Sequence, residues 1–320
     1  MQYIAYIMPI DFRLSLSKEI DMFKNTLFMS FFLPDTELFI SDFGKMLLEY
    51  EAIVKSAKPS NWGLYEPTRK FDAHFFERLN AAAEKDEFVP ELQSLSWKKR
   101  KNPESFGIFS AARMLANNAP LHMMEGGYIR LNIDEEETFS EVYSYFKHRL
   151  QHNQADYAYV EYMTFQRLLD YLGIDCCVNN DEETEEPSMI VTTHELRHWL
   201  PNLPWLAYFG KPYVELFDEE KLATAPVYRV EKIGEGYLLQ LTENISDMEA
   251  DYESYRAKEQ AAKAYLHPNA FYNREKGYSL DILKAHLEKY TIPQPGSVFD
   301  TPEFTELRQG LAKRISHSHI

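Results

Sequence analysis

His194-Glu195-Leu196-Arg197-His198 sets two imidazoles four residues apart with a carboxylate beside the first. On a helix that spacing brings both rings to one face, where they can hold a zinc ion while the glutamate works on a metal-bound water. The chemistry would be that of a zinc-dependent hydrolase, with His194 and His198 as ligands and Glu195 as general base. A third ligand would have to come from Glu215, Asp218, Glu219 or Glu220, and nothing in those residue types separates a ligand from a solvated acidic face.

The elements that must position this string weigh against the metal reading. Met189-Ile190-Val191 reads as a short apolar strand, so a helix can begin no earlier than Thr192 or Thr193. Pro201 and Pro204 close it soon after Leu200. About two turns remain, a marginal helix by itself. Thr192 precedes Glu195 by the capping-box spacing, which gives the carboxylate an ordinary task on an exposed amide. Arg197 stands between the histidines, where its fixed charge opposes a divalent ion. A capped amphipathic turn without metal or cofactor is therefore expected, and a binding protein is favoured over an enzyme.

Other reactive groups have plainer explanations. Asp134-Glu135-Glu136-Glu137 offers carboxylates for acid–base work but precedes a helix, where acids favour the dipole and stay solvated. Cys176-Cys177 are the two cysteines of the chain. Their adjacency excludes a disulfide framework, and they lack the Cys-x-x-Cys spacing of a redox pair. Gly126-Gly127 reads as the turn before a strand, and no glycine-rich phosphate loop or Gly-x-Ser-x-Gly elbow occurs.

Composition narrows the class of partner. With 320 residues and 45% hydrophobic content the chain can bury a sizeable core, and 14% aromatic residues argue against disorder. A formal net charge of −16 disfavours nucleic acid and anionic membrane, both of which call for basic patches, and favours a basic protein. Solubility alone is the plainer use of that charge. Met1 to Pro9 lacks the basic start of a signal peptide and reads as a first strand, and Leu27 to Leu33 is too short to span a bilayer. A cytoplasmic location is expected.

The polar, acidic run 179–186 suggests a linker or surface loop between an N-terminal α+β half, 1–178, and a C-terminal α+β half, 187–320. In the first half, helical spacing covers Phe43 to Lys55 and Phe71 to Ala83. Strand patterns follow at Ser105 to Ala111 and Gly127 to Ile133. Thr138 is positioned to cap a helix with Glu141 at the capping-box site and Phe139, Val142, Tyr143, Phe146 and Leu150 on its apolar stripe. Ala155 to Met163 returns as a strand. In the second half, Val227 to Ile233 and Tyr237 to Glu243 form a hairpin through Gly234-Glu235-Gly236, and helices are expected at Asp251 to Leu266, at Ser279 to Tyr290 and from Thr301. The expected fold class is α+β, with helices packed on a mostly antiparallel sheet and two halves that can share one core.

Leu203 to Phe217 concentrates Trp205, Tyr208, Phe209, Tyr213 and Phe217 in a proline-bounded piece broken by Gly210, which no single regular helix accommodates. Such rings either serve as a binding hot spot or close the core between the halves. The partner-binding candidates are Trp205, Tyr208, Phe209 and Tyr213, joined by Asp181, Glu182 and Glu183 of the acidic run. A homodimer built on the aromatic segment is a third arrangement of the same residues.

The run from Glu195-Leu196 through Trp205, Phe209-Gly210, Pro212-Tyr213-Val214 and Phe217, then Pro226 and Gly236-Tyr237-Leu238-Leu239-Gln240-Leu241, resembles the C-terminal part of bacterial immunity proteins encoded beside polymorphic and type VI secreted toxins. The resemblance implies a cytoplasmic α+β antidote that binds and occludes a cognate toxin or effector and is not an enzyme. It lies in the C-terminal half alone. His194 and His198 are not part of it, and it does not say which surface meets the toxin.

Overall fold

The apolar run Thr26–Leu33 forms a strand, β1, near the middle of a ten-stranded sheet. The computed structural model describes residues 25–33, 36–63, 69–83, 94–99, 104–113, 120–130, 135–152, 155–164, 166–167, 172–175, 178–179, 182–183, 186–187, 200, 202–267 and 270–271. After β1 come helix α1 (Thr36–Ile53), β2 (Asn61–Gly63), β3 (Arg69–Lys70), α2 (Ala73–Ala83), β4 (Ser94–Lys99), β5 (Glu104–Arg113), β6 (Pro120–Arg130), α3 (Glu136–His152) and β7 (Tyr157–Met163). Short strands β8 (Leu172–Asp175), β9 (Val178–Asn179), β10 (Glu182–Glu183) and β11 (Glu186–Pro187) lead to β12 (Leu206–Phe209). The chain continues as α4 (Lys211–Phe217), α5 (Glu219–Ala223), β13 (Arg229–Ile233), β14 (Gly236–Gln240), α6 (Asp247–Ala250) and α7 (Tyr252–Leu266).

The sheet order is β13-β14-β12-β7-β1-β6-β5-β4-β2-β3, with every pairing antiparallel. Strands from both sides of the acidic run thus join one ladder, and the junction is β12 against β7, with Leu206 opposite Val160 and Phe209 opposite Tyr157. Both faces of the central strands are covered, so β7 is buried at every position, Glu161 included, and shows no alternation of buried and exposed residues.

Register parity assigns the faces. Leu27, Met29 and Phe31 point to the side of α1, α2 and α3, where Phe31 meets Tyr145 and Phe146 at ring separations of 6.4 and 4.9 Å. Trp97 and Trp62 extend that face onto Tyr50 of α1 and Phe75 and Phe76 of α2. On the opposite face Tyr157 and Phe209 meet Tyr213 of α4, and Arg167 binds both Glu161 and Glu259. The α+β expectation holds, with one hydrophobic core running from Leu27 to Phe271.

Several local expectations shift. Gly126 and Gly127 lie inside β6, opposite Ser30 and Met29, and are not a turn before a strand. Helix α3 begins at Glu136, so Thr138 is a buried residue of its first turn rather than its cap. Glu141 spends its carboxylate on the loop after α1, accepting from the amide of Ser56 at 2.9 Å and from its hydroxyl at 2.5 Å. The acidic run carries ladder pairs where a plain loop was expected: Glu182 pairs with Asn179, Glu183 with Val178, and Glu186 with Asp175. The expected strands at Met1 to Pro9 and Met189 to Val191, and the helices from Ser279 and Thr301, lie outside the described residues.

Candidate partner-binding surface

From Trp205 onward, the residues that carry the resemblance come together as one packed unit: β12, α4, α5 and the hairpin β13–β14. Gly210 joins β12 to α4 because the chain there grazes a neighbouring backbone. A Cβ at this position would stand 2.0 Å from the Ala155 carbonyl oxygen, and the glycine amide donates to Asp156 at 2.9 Å. Gly234, with φ of 58°, makes the left-handed turn of the hairpin.

The aromatic segment is interior. The expected partner-binding rings Trp205, Tyr208, Phe209 and Tyr213 are between 0 and 7% exposed. Phe209 and Tyr213 close the core between β7 and α4. The Trp205 indole donates to the Thr242 carbonyl at 3.2 Å and the Tyr208 hydroxyl to the Ile233 carbonyl at 3.1 Å. Phe209, Tyr213 and Phe217 form one ring cluster with Tyr157, and Phe217 stacks on Phe271. Burial pushes the Tyr208 hydroxyl up to about 12, with Glu235 and Asp156 adding to the shift. Burial likewise holds Tyr157 and Tyr213 well above the usual phenol range.

Arg167 anchors this unit from beneath. Its guanidinium binds Glu161 at 2.6 and 2.9 Å, Glu259 at 3.0 and 3.1 Å and the Leu203 carbonyl at 3.1 Å, and Glu259 in turn accepts from the Leu203 amide at 3.2 Å. One buried cluster thereby ties β7, the approach to β12 and α7.

The rings that do face water are different ones. Among the described residues the exposed large hydrophobic side chains are Tyr228 at 52% and Tyr265 at 41%. Each is held at its polar tip: Tyr228 donates to Glu243 at 3.0 Å, and the Tyr265 hydroxyl lies 2.8 Å from that of Thr224. Exposed acids in residues 202–267 include Glu215, Glu220, Glu243, Glu249 and Glu253. Glu219 is engaged by Lys232 at 2.6 Å and Tyr237 at 2.7 Å, hydrogen bonds that hold its carboxyl below the usual range. Neither tyrosine stands out by type, and only the three-dimensional pairing of Tyr265 with Thr224 and Tyr228 with Glu243 marks them.

Of the remaining expected site residues, Glu182 and Glu183 form β10, while Asp181, His194, Glu195 and His198 lie outside the described residues. Two proposed third ligands have local tasks: Asp218 caps α5 by accepting from the Glu220 amide at 2.8 Å, and Glu219 serves Lys232 and Tyr237. Among the described residues no group of three or more His, Cys, Asp or Glu side chains is gathered as an ion site, and no helix is long and apolar enough to cross a membrane.

No family model matches the chain, and none of the curated proteins does. A solved structure similar to it is the Pseudomonas aeruginosa T6SS protein PA0821, 10% identical, with a TM-score of 0.48 over 89% of this chain and 85% of that one.

Proposed function

We propose that this chain is an immunity-type binding protein that neutralises a basic cognate toxin or effector by covering it. The observation that supports the reading is that Tyr228 and Tyr265 are exposed and each held at its hydroxyl, Tyr228 by the exposed acid Glu243 and Tyr265 by Thr224. A tyrosine held at its hydroxyl offers a wide amphipathic contact at small entropic cost, and the carboxylates steer a positive partner during encounter. The net charge of −16 acts in the same direction over longer range. The resemblance to immunity proteins rests on residues that build this unit, and the buried aromatics of that motif act as its scaffold.

The direct test is co-purification with the product of the neighbouring reading frame, which the resemblance makes the first partner to try. A complex that forms at low salt, weakens as salt rises and is lost in a Tyr228→Ala, Tyr265→Ala double variant supports the reading. Retention by the double variant would move the contact elsewhere, and absence of any complex would remove the proposed partner.

A further inference from the structure

The ten-stranded sheet ends differently at its two edges. Strand β3 closes one of them with Arg69 and Lys70, both exposed and basic, a length and charge that discourage another strand from adding. The other edge is β13, five residues long, in regular register with β14 and without proline or bulge. Among the described residues β14 is its only strand partner. The charges of β13 are matched within the chain: Arg229 lies 3.4 Å from Glu231, Lys147 of α3 lies 2.7 Å from Glu231, and Lys232 lies 2.6 Å from Glu219. None of them is left over to repel an incoming strand.

The hairpin fixes which main-chain groups face outward. Gly234 and Glu235 form a two-residue turn, so the flanking pair Ile233 and Gly236 is a hydrogen-bonded one, and by alternation so are Glu231 with Leu238 and Arg229 with Gln240. The amides and carbonyls of Val230 and Lys232 therefore point away from β14. A second copy of the strand, run antiparallel with Val230 opposite Val230, meets these groups with its own. In that register Arg229 of each copy stands opposite Glu231 of the other. The registers two residues to either side set Glu231 on Glu231 or Arg229 on Arg229, like charges directly opposed.

We propose that β13 pairs with β13 of a second copy of this chain, continuing the sheet across a two-fold axis at Val230. Main-chain hydrogen bonds join the strands, and the Arg229–Glu231 pairs on either side of the axis fix the register. A two-fold dimer requires a self-complementary patch of this kind, the same residues serving on both sides. Each copy carries a formal charge of −16, but at physiological salt the screening length of about 8 Å lets the local pairs decide. The pairing uses groups in the plane of the sheet and does not depend on the toxin-binding reading.

The test is sedimentation equilibrium of the full, untagged chain over a range of concentrations at physiological salt, where a reversible monomer–dimer equilibrium is expected. Val230→Pro removes an outward-facing amide and spares the bonds between β13 and β14, so it should weaken association more than about tenfold while circular dichroism stays native. Arg229→Glu and Glu231→Arg should each be monomeric alone, since each sets like charges opposite one another across the axis. Mixed in equal amounts, the two variants should form a heterodimer, because one chain then presents acids at both positions and the other bases at both. A local fault in either variant is not repaired by mixing. A parent chain that is monomeric at every concentration, a dimer as tight in Val230→Pro as in the parent, or charge variants that fail to associate when mixed would overturn the proposal.

Discussion

Arg167 Nη2 stands 2.6 Å from Glu161 Oε2 with both side chains wholly excluded from water. Glu259, 1% exposed, completes the cluster from α7. A buried ion pair is a weak source of net stability, but removing one partner strands the other charge. Arg167→Met leaves two buried carboxylates and the Leu203 carbonyl without the guanidinium that joins them. The expected loss is about 3–5 kcal/mol in urea unfolding. A loss below about 1 kcal/mol would mean that the cluster is not dry in solution.

Gly107 of β5 lies under the Trp97 indole of β4, and a Cβ there would fall 1.7 Å from Cη2 and 1.8 Å from Cζ2 of that ring. The indole is itself wedged against Tyr50, at a ring separation of 5.2 Å, and cannot retreat without disturbing α1. Gly107→Ala is therefore expected to destabilise by about 3 kcal/mol, the upper end of ordinary overpacking. Chemical denaturation reads this directly, and Trp97→Ala in the same background should recover part of the loss if the clash is the cause.

How much of this was legible in the chain depends on whether one element carried its own signal. Helix α7 was, because Asp251 caps it through the Ser254 amide and the apolar spacing continues to Leu266. The β13–β14 hairpin was also legible, since Gly234 supplies the turn that its strands require. Strand β1 was not: Thr26–Leu33 is covered on both faces, so it lacks the period of two that marks a half-buried strand. The direction of Trp205 and Tyr208 was equally hidden. Their types suit a hot spot or a core, and only the pairing of β12 between β7 and β14 decides for the core.

Alkaline titration should divide the tyrosines into two groups. Burial raises Tyr208 to about 12 and holds Tyr157, Tyr213 and Tyr255 well above the ordinary phenol range, so in the folded state they stay neutral through the range where free phenols ionise. A raised folded pKa contributes stability that is present below the unfolded value near 10 and lost as pH climbs toward the folded one. Phenolate absorbance is expected to rise in two stages, the second coinciding with loss of the native circular dichroism. A single smooth transition with the fold intact would contradict the burial of these four.

Glu219, Lys232 and Tyr237 make the acid-side counterpart at the surface. Hydrogen bonds from Lys232 and then Tyr237 lower the Glu219 pKa, and Glu219 raises that of Lys232. The carboxylate's contribution is present above its unfolded pKa and lost as pH falls through the folded one, whereas that of Lys232 is present below the ordinary lysine range and lost as pH rises through its folded value. Glu219→Gln should flatten the stability profile just below the ordinary carboxylate range and leave its neutral region nearly unchanged, as suits an exposed network. Melting temperature against pH for the two proteins measures the difference.

The central claim is that this chain binds and silences a toxic partner through Tyr228 and Tyr265, and growth reports on it most directly. The neighbouring reading frame is expressed in a host from an inducible promoter, alone, with the parent chain, and with the folded Tyr228→Ala/Tyr265→Ala variant. The account predicts arrested growth alone, restored growth with the parent, and arrest again with the variant. Arrest that the parent chain does not relieve, or relief that the double variant gives equally well, would contradict it.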